Sequence, residues 1–416
     1  MHSPDYQYYD IMVSNLNNDS ATVPSPLTFQ ETRSIPILKN PRDYAMSITR
    51  FSLSTQCLPV FLPTIKPRSS DINETVYKIS LVYAYTNGSG VQSEYVYTET
   101  IEFRPQNISA AIPSAPAFTI DGLQDNSTGY YNIYSYEYFV ATVNYYLNKC
   151  YTDLLASLPS DVYSSIPTSA LTQPPILIFD TSTNLATLYI PSTLNNNNTN
   201  LWGVYNKSVD SGPTNDQFRI YFNTGLYALF SSLPALNSLG YSYSTAGMSY
   251  TSTDMTNQIL IPYKSALYPT IYMPIGSPSA SQYPCYPIIQ EYSTINSWSP
   301  VSSIVFTSNF LPVVNNQLSN PVVYVNNQLV SLTQSSANFA TVITDFCSAN
   351  FKSDDVVLYN PTAEYRRLQL VGDRPISTVD VSVFWMDKTS QKLLPFYLLA
   401  GGSFTMKILF EKIIKD

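Results

Sequence analysis

Two stretches near the C-terminus alternate with a period of two, and they restrict the fold more than anything else in the chain. Between Thr378 and Met386, the residues Val379, Val381, Val383 and Trp385 fall on one side, and Thr378, Asp380, Ser382 and Phe384 on the other. From Ser403 to Lys412 the pattern returns, with Phe404, Met406, Ile408 and Phe410 sharing one face and Thr405, Lys407 and Glu411 mostly on the other. The polar turn Asp387-Lys388-Thr389-Ser390 and Gly401-Gly402 lie between the two strands. Both strands need a second apolar sheet to bury against. No later residues can supply it, so the partner must come from upstream, from similarly patterned strands near the N-terminus. A chain whose two ends complete one β-sandwich carries everything between them as an excursion.

At 416 residues the chain is too long for one ordinary core, and two domains are expected. Charged residues make up only 12% of it, while Tyr numbers 35 and Pro 30, so surface polarity must come from Asn, Ser, Thr, Gln and tyrosine hydroxyls. Such a surface suits rigid packing against other proteins. The net charge of -8 argues against neutralising phosphates and so against direct nucleic-acid binding. Lys66, Arg68 and Lys78 with Arg366-Arg367 read as solvated surface or ion pairs. Cys57, Cys150, Cys285 and Cys347 have no paired spacing, which suggests neither a zinc site nor a disulfide framework. No run approaches the ~20 apolar residues of a membrane span, and no signal peptide is read. Seven Asn-x-Ser/Thr sequons, at Asn18, Asn73, Asn87, Asn107, Asn126, Asn197 and Asn206, match what an Asn-, Ser- and Thr-rich chain generates by chance.

Taken in order, Tyr8 to Asn15 reads as a first short strand and Tyr44 to Leu53 as an extended segment. Pro59 and Pro63 push Leu58 to Leu62 to a sheet edge or a contact arm. Val76 to Phe103 is the clearest hairpin, turning at Asn87-Gly88-Ser89-Gly90. The texture then becomes linker-like up to Asn126. Tyr138 to Leu158 has three-four apolar spacing, with Ser135 a candidate N-cap and Pro159 the stop, and Asn223 caps a shorter helix ended by Pro234. Strands at Pro175 to Phe179, Leu185 to Ile190 and Phe218 to Phe222 make the middle α+β. Asn195 to Asn198 reads as an exposed polar loop, and Tyr263 to Tyr292 as an extended return with little regular structure. Ser302 to Thr307, Pro321 to Leu332 and Tyr365 to Val371 are strand-like, and Phe339 to Phe346 is a helix turn or a strand. Counting both ends gives about eight strands, the number a single jelly roll needs. The expected fold is therefore mainly β, a single jelly-roll β-sandwich formed by both chain ends (1–107 and 300–416) with a large β-rich (α+β) insertion domain, 108–299.

Chemistry is sparse. The one histidine is His2, which removes triads and histidine-based bases or metal sites unless it folds inward. The cysteines read as buried structural thiols. Asp354-Asp355 and Asp345 read as acidic surface, since adjacent carboxylates point apart in an extended chain. No phosphate-binding Gly loop occurs. No catalytic, cofactor-binding or metal residue is assigned, and no cofactor is expected. Most tyrosines alternate within strands and belong to sheet packing, leaving Tyr130-Tyr131, Tyr241 and Tyr243 as contact candidates.

The segment Arg42-Asp43-Tyr44-Ala45-Met46-Ser47-Ile48-Thr49-Arg50-Phe51-Ser52-Leu53, followed by Leu58-Pro59-Val60-Phe61, resembles the early part of penton or minor capsid proteins of virophages and polinton-like viruses. Ser303-Ile304-Val305-Phe306 with Leu311-Pro312-Val313 is similar to them too. So are Tyr365-Arg366-Arg367 through Asp380, Trp385-Met386-Asp387, Pro395 and Lys407-Ile408-Leu409-Phe410. The likeness covers mainly the two ends. It implies a non-enzymatic penton protein at the capsid vertex of an icosahedral DNA virus, made in the host cell without a signal peptide. The jelly roll would stand in the shell and the insert would project outward, a candidate for binding a host receptor. Five copies would form a homopentamer beside a double-jelly-roll major capsid protein, with no direct nucleic-acid contact and no membrane span. A viral spike or carbohydrate-binding adhesin shares the sandwich and the tyrosines, and a glycosidase-like β enzyme would need two inward carboxylates in one cleft.

Overall fold

The computed structural model describes residues 6–15, 26–106, 108, 110–115, 128–168, 170–171, 173–192, 201–202, 204–205, 217–237, 241–244, 247–250, 254–262, 271–274, 282–313, 324–325, 328–329, 341–347, 356–359, 367–388 and 393–413. His2, Asn195 to Asn198, Asp354-Asp355 and Arg366 fall outside them, as does most of Pro321 to Leu332. The chain is mainly β, with several sheets, and divides into two compact units.

The first unit comprises residues 1–60, 127–129 and 299–416. One antiparallel sheet runs in the order Tyr6–Ser14, Ser403–Lys412, Tyr44–Ser54, Val356–Tyr359, with Leu368–Gln369 also beside Tyr44–Ser54. A second runs Thr28–Thr32, Thr378–Asp387, Val301–Ser308, Thr341–Phe346, with Leu393–Pro395 beside Thr378–Asp387. The alternation at the C-terminus sets which faces meet. Phe404, Met406, Ile408 and Phe410 enter one core with Val379, Val381, Val383 and Trp385, joined by Ile11, Phe51, Leu53, Ile304 and Phe306. At ~1.5–3 kcal/mol for each large apolar side chain removed from water, this shared layer is the main term holding the sheets together. The two long C-terminal strands, with only the three-residue strand Leu393–Pro395 between them, lie in different sheets. Asp380, in the opposite phase of its strand, is buried as well. Its buried carboxylate accepts from Ser308 Oγ, from the Asn309 N–H at 2.8 Å and from the Phe310 N–H at 3.0 Å, which folds the end of the Val301–Ser308 strand into a turn.

The second unit comprises residues 61–126 and 130–298. The hairpin Glu74–Thr86 and Gln92–Glu102 is here, in a sheet ordered Ala235–Asn237, Asn257–Ile259, Gln217–Phe222, Glu74–Thr86, Gln92–Glu102. Residues 61–107 therefore do not belong with the chain ends as expected. The reason is pairing: Leu81 lies opposite Ile220 and Tyr83 opposite Phe218, so the hairpin's free edge is filled from within the excursion. The helix Tyr136–Ser157 packs on this sheet, and the Cys150 thiol reaches the carbonyls of Ile79 and Tyr97. On another side, Asn144 exchanges two hydrogen bonds with Leu177, at 2.7 and 2.8 Å, fastening the helix to a sheet ordered Ile271–Pro274, Gln282–Ile289, Leu185–Pro191, Ile176–Asp180.

Two further expectations change. The stretch from Tyr263 to Tyr292 contains regular strands despite Pro284 and Pro287. Of the Gln282–Ile289 residues, Cys285 alone is paired on both sides; Pro284 pairs only with Tyr272 and Pro287 only with Tyr189, so each missing N–H falls where one neighbour is absent. Leu58 to Leu62 is not a contact arm, because Leu58, Val60 and Phe61 are buried. Phe61 and Trp298, the first and last residues of the second unit, meet in an aromatic group with Phe139, Phe179 and Phe230, and the Leu62 N–H bonds the Trp298 carbonyl. The segment read as a helix turn or a strand is the strand Thr341–Phe346.

Candidate functional site

Among the described residues no group of three or more His, Cys, Asp or Glu side chains gathers as metal ligands would. Burial pushes the Cys150 thiol up to about 12, which leaves it protonated and unreactive. Lys66 is paired with Glu74 at 2.6 Å, Lys78 with Asp254 at 2.9 Å and Arg367 with Glu411 at 2.9 Å, so of the two alternatives read from the sequence, solvated surface or ion pairs, these three take the second. Tyr130 and Tyr131, taken as contact candidates, are buried instead. They pack on Phe103 and donate to Asn73 Oδ1 and the Ile72 carbonyl. Tyr241 and Tyr243 fall in the short strand Tyr241–Ser244.

The feature that can act on a partner is the outer face of the Tyr6–Ser14 sheet. Inward-facing Tyr9 and Ile11 are buried, so the opposite phase, Tyr6, Tyr8, Asp10 and Met12, must face out. Tyr6 is 59% exposed, Tyr8 58% and Met12 72%. On the far edge of the same sheet Val356 and Leu358 are 44% and 67% exposed. Register joins them: Met12 lies opposite Thr405, Thr405 opposite Ser52, and Ser52 opposite Leu358. The adjacent row is charged. Asp10 pairs with Lys407 at 3.3 Å, Lys407 stands 5.5 Å over the Tyr8 ring and opposite Arg50, and Arg50 is exposed with no ion pair among the described residues. Large apolar side chains at both margins of one sheet face, with charge along its middle, are the composition of a protein contact rather than of ordinary surface.

The margin itself is held firm. The Tyr9 hydroxyl donates to Glu31 at 2.7 Å, Arg33 Nε donates to Glu31 at 2.9 Å, and the Arg33 guanidinium lies 4.9 Å from the Tyr9 ring centre. This cluster ties the edge strand Tyr6–Ser14 to the edge strand Thr28–Thr32 of the facing sheet. Burial, then the Glu31 carboxylate, pushes the Tyr9 phenol up to about 12. The Tyr9 and Arg33 hydrogen bonds hold the Glu31 carboxyl below its usual range. The edge strand pairs in unbroken register with Ser403–Lys412 and contains no Pro, Lys or bulge, the devices by which monomers guard an edge. Sequence reasoning placed the strand and missed its outer face, although the signal exists in Tyr-Gln-Tyr-Tyr-Asp-Ile-Met, which is apolar in both phases.

Charge divides unevenly between the units. The first carries thirteen Lys and Arg against fourteen Asp and Glu, net −1, and the second eight against fifteen, net −7, together the −8 of the chain.

A two-sheet unit formed by both chain ends, with a β-rich excursion and an exposed apolar sheet face, has the make-up of a protein that assembles with others. The chain belongs to the family of the Sputnik minor capsid protein V18/19, whose family model matches residues 7–412. It is similar to two Sputnik virophage proteins. With the uncharacterized protein V18 it shares 33% identity over 159 residues, 38% of this chain and 89% of V18. With the structural protein V19 it shares 31% over 124 residues, 30% of this chain and 54% of V19. Among solved structures, a chain in the cryo-EM structure of the Sputnik virophage matches with a TM-score of 0.70 at 24% identity, covering 99% of this chain and 98% of that one. The mavirus penton protein matches with a TM-score of 0.53 at 14% identity, covering 99% and 100%.

Proposed function

We propose that this capsid protein is a penton, closing the fivefold vertices of an icosahedral virion as a homopentamer. The observation that carries the reading is the strand order of the first unit. Numbering its eight principal strands along the chain, one sheet runs 1-8-3-6 and the other 2-7-4-5, an order that supports reading the unit as a single jelly roll of two interleaved Greek keys. The second unit enters between strands 3 and 4 and serves as the outward domain. Its net −7 suits a solvated surface, while the near-neutral jelly roll suits close packing between copies. The likeness to the mavirus penton fold supports the same reading. In this role the protein works by geometry and not by catalysis. A heterologous contact repeated around a closed ring converts local complementarity into fivefold symmetry. We assign the outer face of the Tyr6–Ser14 sheet to contact with a second copy, and the remaining capsid contact to a double-jelly-roll major capsid protein. A host receptor is the partner proposed for the outward unit; nucleic acid is not.

Native mass spectrometry of the purified chain near neutral pH, with negative-stain images of the same sample, tests the reading. A closed pentamer is the expected result. A monomer or trimer at every concentration, together with recovered glycan binding, overturns it in favour of a spike or adhesin.

A further inference from the structure

We propose that Asn87 is a site of spontaneous covalent modification, losing its side-chain amide to form aspartate and isoaspartate at the tip of the Glu74–Thr86 and Gln92–Glu102 hairpin. Asn87-Gly88 is the single Asn-Gly pair in the chain, and residues 87–92 are exposed. The Asn87 side chain is not free to turn. One of its terminal atoms receives the Ser89 N–H at 3.0 Å and the Val91 N–H at 2.9 Å. Both partners are donors, so the atom facing them must be the oxygen Oδ1. The main chain is closed around it by the Gly90 N–H to the Asn87 carbonyl, 2.9 Å, and the Asn87 N–H to the Val91 carbonyl, 3.0 Å. This folds the side chain over the Asn87–Gly88 peptide. Among the described residues no hydrogen bond engages the Gly88 nitrogen, and apart from its two chain neighbours no atom lies within 4 Å of where a Gly88 Cβ would stand.

The chemistry uses only water as co-reactant. The Gly88 nitrogen, giving up its proton to solvent, attacks Asn87 Cγ and forms a new C–N bond. The electron pair of the C=O bond moves to Oδ1, where the two N–H groups meet a growing negative charge. Hydrogen bonds to an ionised acceptor are about twice as strong as neutral ones, so these donors favour the tetrahedral intermediate over the starting amide. Solvent returns a proton to Nδ2, the pair on Oδ1 re-forms the C=O bond, and the Cγ–Nδ2 bond breaks to release ammonia, leaving a five-membered imide. Water then opens either carbonyl, giving aspartate or isoaspartate. Glycine at 88 matters because it carries no Cβ to keep its nitrogen from approaching. Either product adds a negative charge to a unit already at net −7, and the isoaspartate path also lengthens the main chain at a closed turn.

The test is incubation of the intact folded chain in mildly alkaline buffer, sampled over weeks. Peptide mapping by mass spectrometry, with fragmentation that separates aspartate from isoaspartate, reads the product, and the urea-unfolded chain is followed in parallel. The expected result is conversion of Asn87 in the folded chain ahead of every other asparagine, slowed severalfold in Gly88→Val. That variant retains the fold, because the Cβ position is open and Gly88 is not among the glycines of positive φ. Conversion in the unfolded chain with Asn87 intact in the folded one overturns the proposal, since the donors would then lock the amide instead of activating it. A rate unchanged in Gly88→Val, or an Asn87 that carries a glycan, overturns it as well.

Discussion

Tyr9 shows how one side chain on an edge strand serves both the core and the margin. Its ring is buried against Phe29, with centroids 6.5 Å apart, and its hydroxyl emerges just far enough to meet Glu31. Tyr9→Phe retains the ring and removes the bond, so at neutral pH the loss is expected to be about 0.5–1.5 kcal/mol. The pH dependence has a definite sign. A phenol raised to about 12 in the folded chain, against ~10 when unfolded, holds its proton more tightly when folded. Its contribution is fully present below the unfolded value and is lost as pH rises from there through the folded one. Denaturant titrations across that range are therefore expected to show stability falling faster in the wild-type chain than in Tyr9→Phe, so that the two curves converge. Parallel curves would mean that Tyr9 ionises as an exposed tyrosine does.

At the scale of elements, the caps carry more than their helices. Asn223 stands before the short helix Thr224–Leu229, and its Oδ1 accepts from the Leu226 N–H as an N-cap should. The same oxygen accepts from the Lys78 N–H at 3.0 Å, and its Nδ2 donates to the Val76 carbonyl at 2.7 Å, so the cap also stitches the helix to the Glu74–Thr86 strand. Asn223→Ala is expected to cost about 2–4 kcal/mol in urea denaturation, with Asn223→Asp between it and wild type because only the Nδ2 donation is lost. Both caps were legible in the sequence. The helix read from Tyr138 to Leu158 is Tyr136–Ser157, with Ser135 accepting from the Tyr138 N–H, because spacing and caps are local signals. The hairpin around Asn87-Gly88 and the strand read at Phe218 to Phe222 were legible for the same reason, but the pairing between them was not. Nothing within the hairpin says which distant strand fills its free edge, and the domain boundary was misjudged accordingly. The aromatic group around Trp298 left no trace either, since its members come from separate elements with no shared period.

For the whole molecule, the proposed ring closure through the outer face of the Tyr6–Ser14 sheet makes a demand that the fold itself does not. Met12 and Leu358 project from opposite edge strands of that sheet and touch no core, so Met12→Lys and Leu358→Lys are expected to shift the chain's own unfolding by less than ~0.5 kcal/mol. Assembly must respond differently. Each substitution forfeits about 1.5–3 kcal/mol of apolar burial per contact, and about 1.4 kcal/mol is already a factor of ten in the association constant. Sedimentation at matched concentrations is then expected to show pentamers giving way to monomers in either variant. Tyr163→Lys, exposed on the helix Ser160–Ser165 of the second unit, should leave the pentamer intact. The exposed charge of Arg50 provides a further check, because a charged row within the contact makes assembly weaken with salt in the parent chain and less so in Arg50→Gln. A pentamer that survives both lysine variants moves the contact to another surface without disturbing the vertex reading, whereas loss of the ring only in Tyr163→Lys would place it on the second unit.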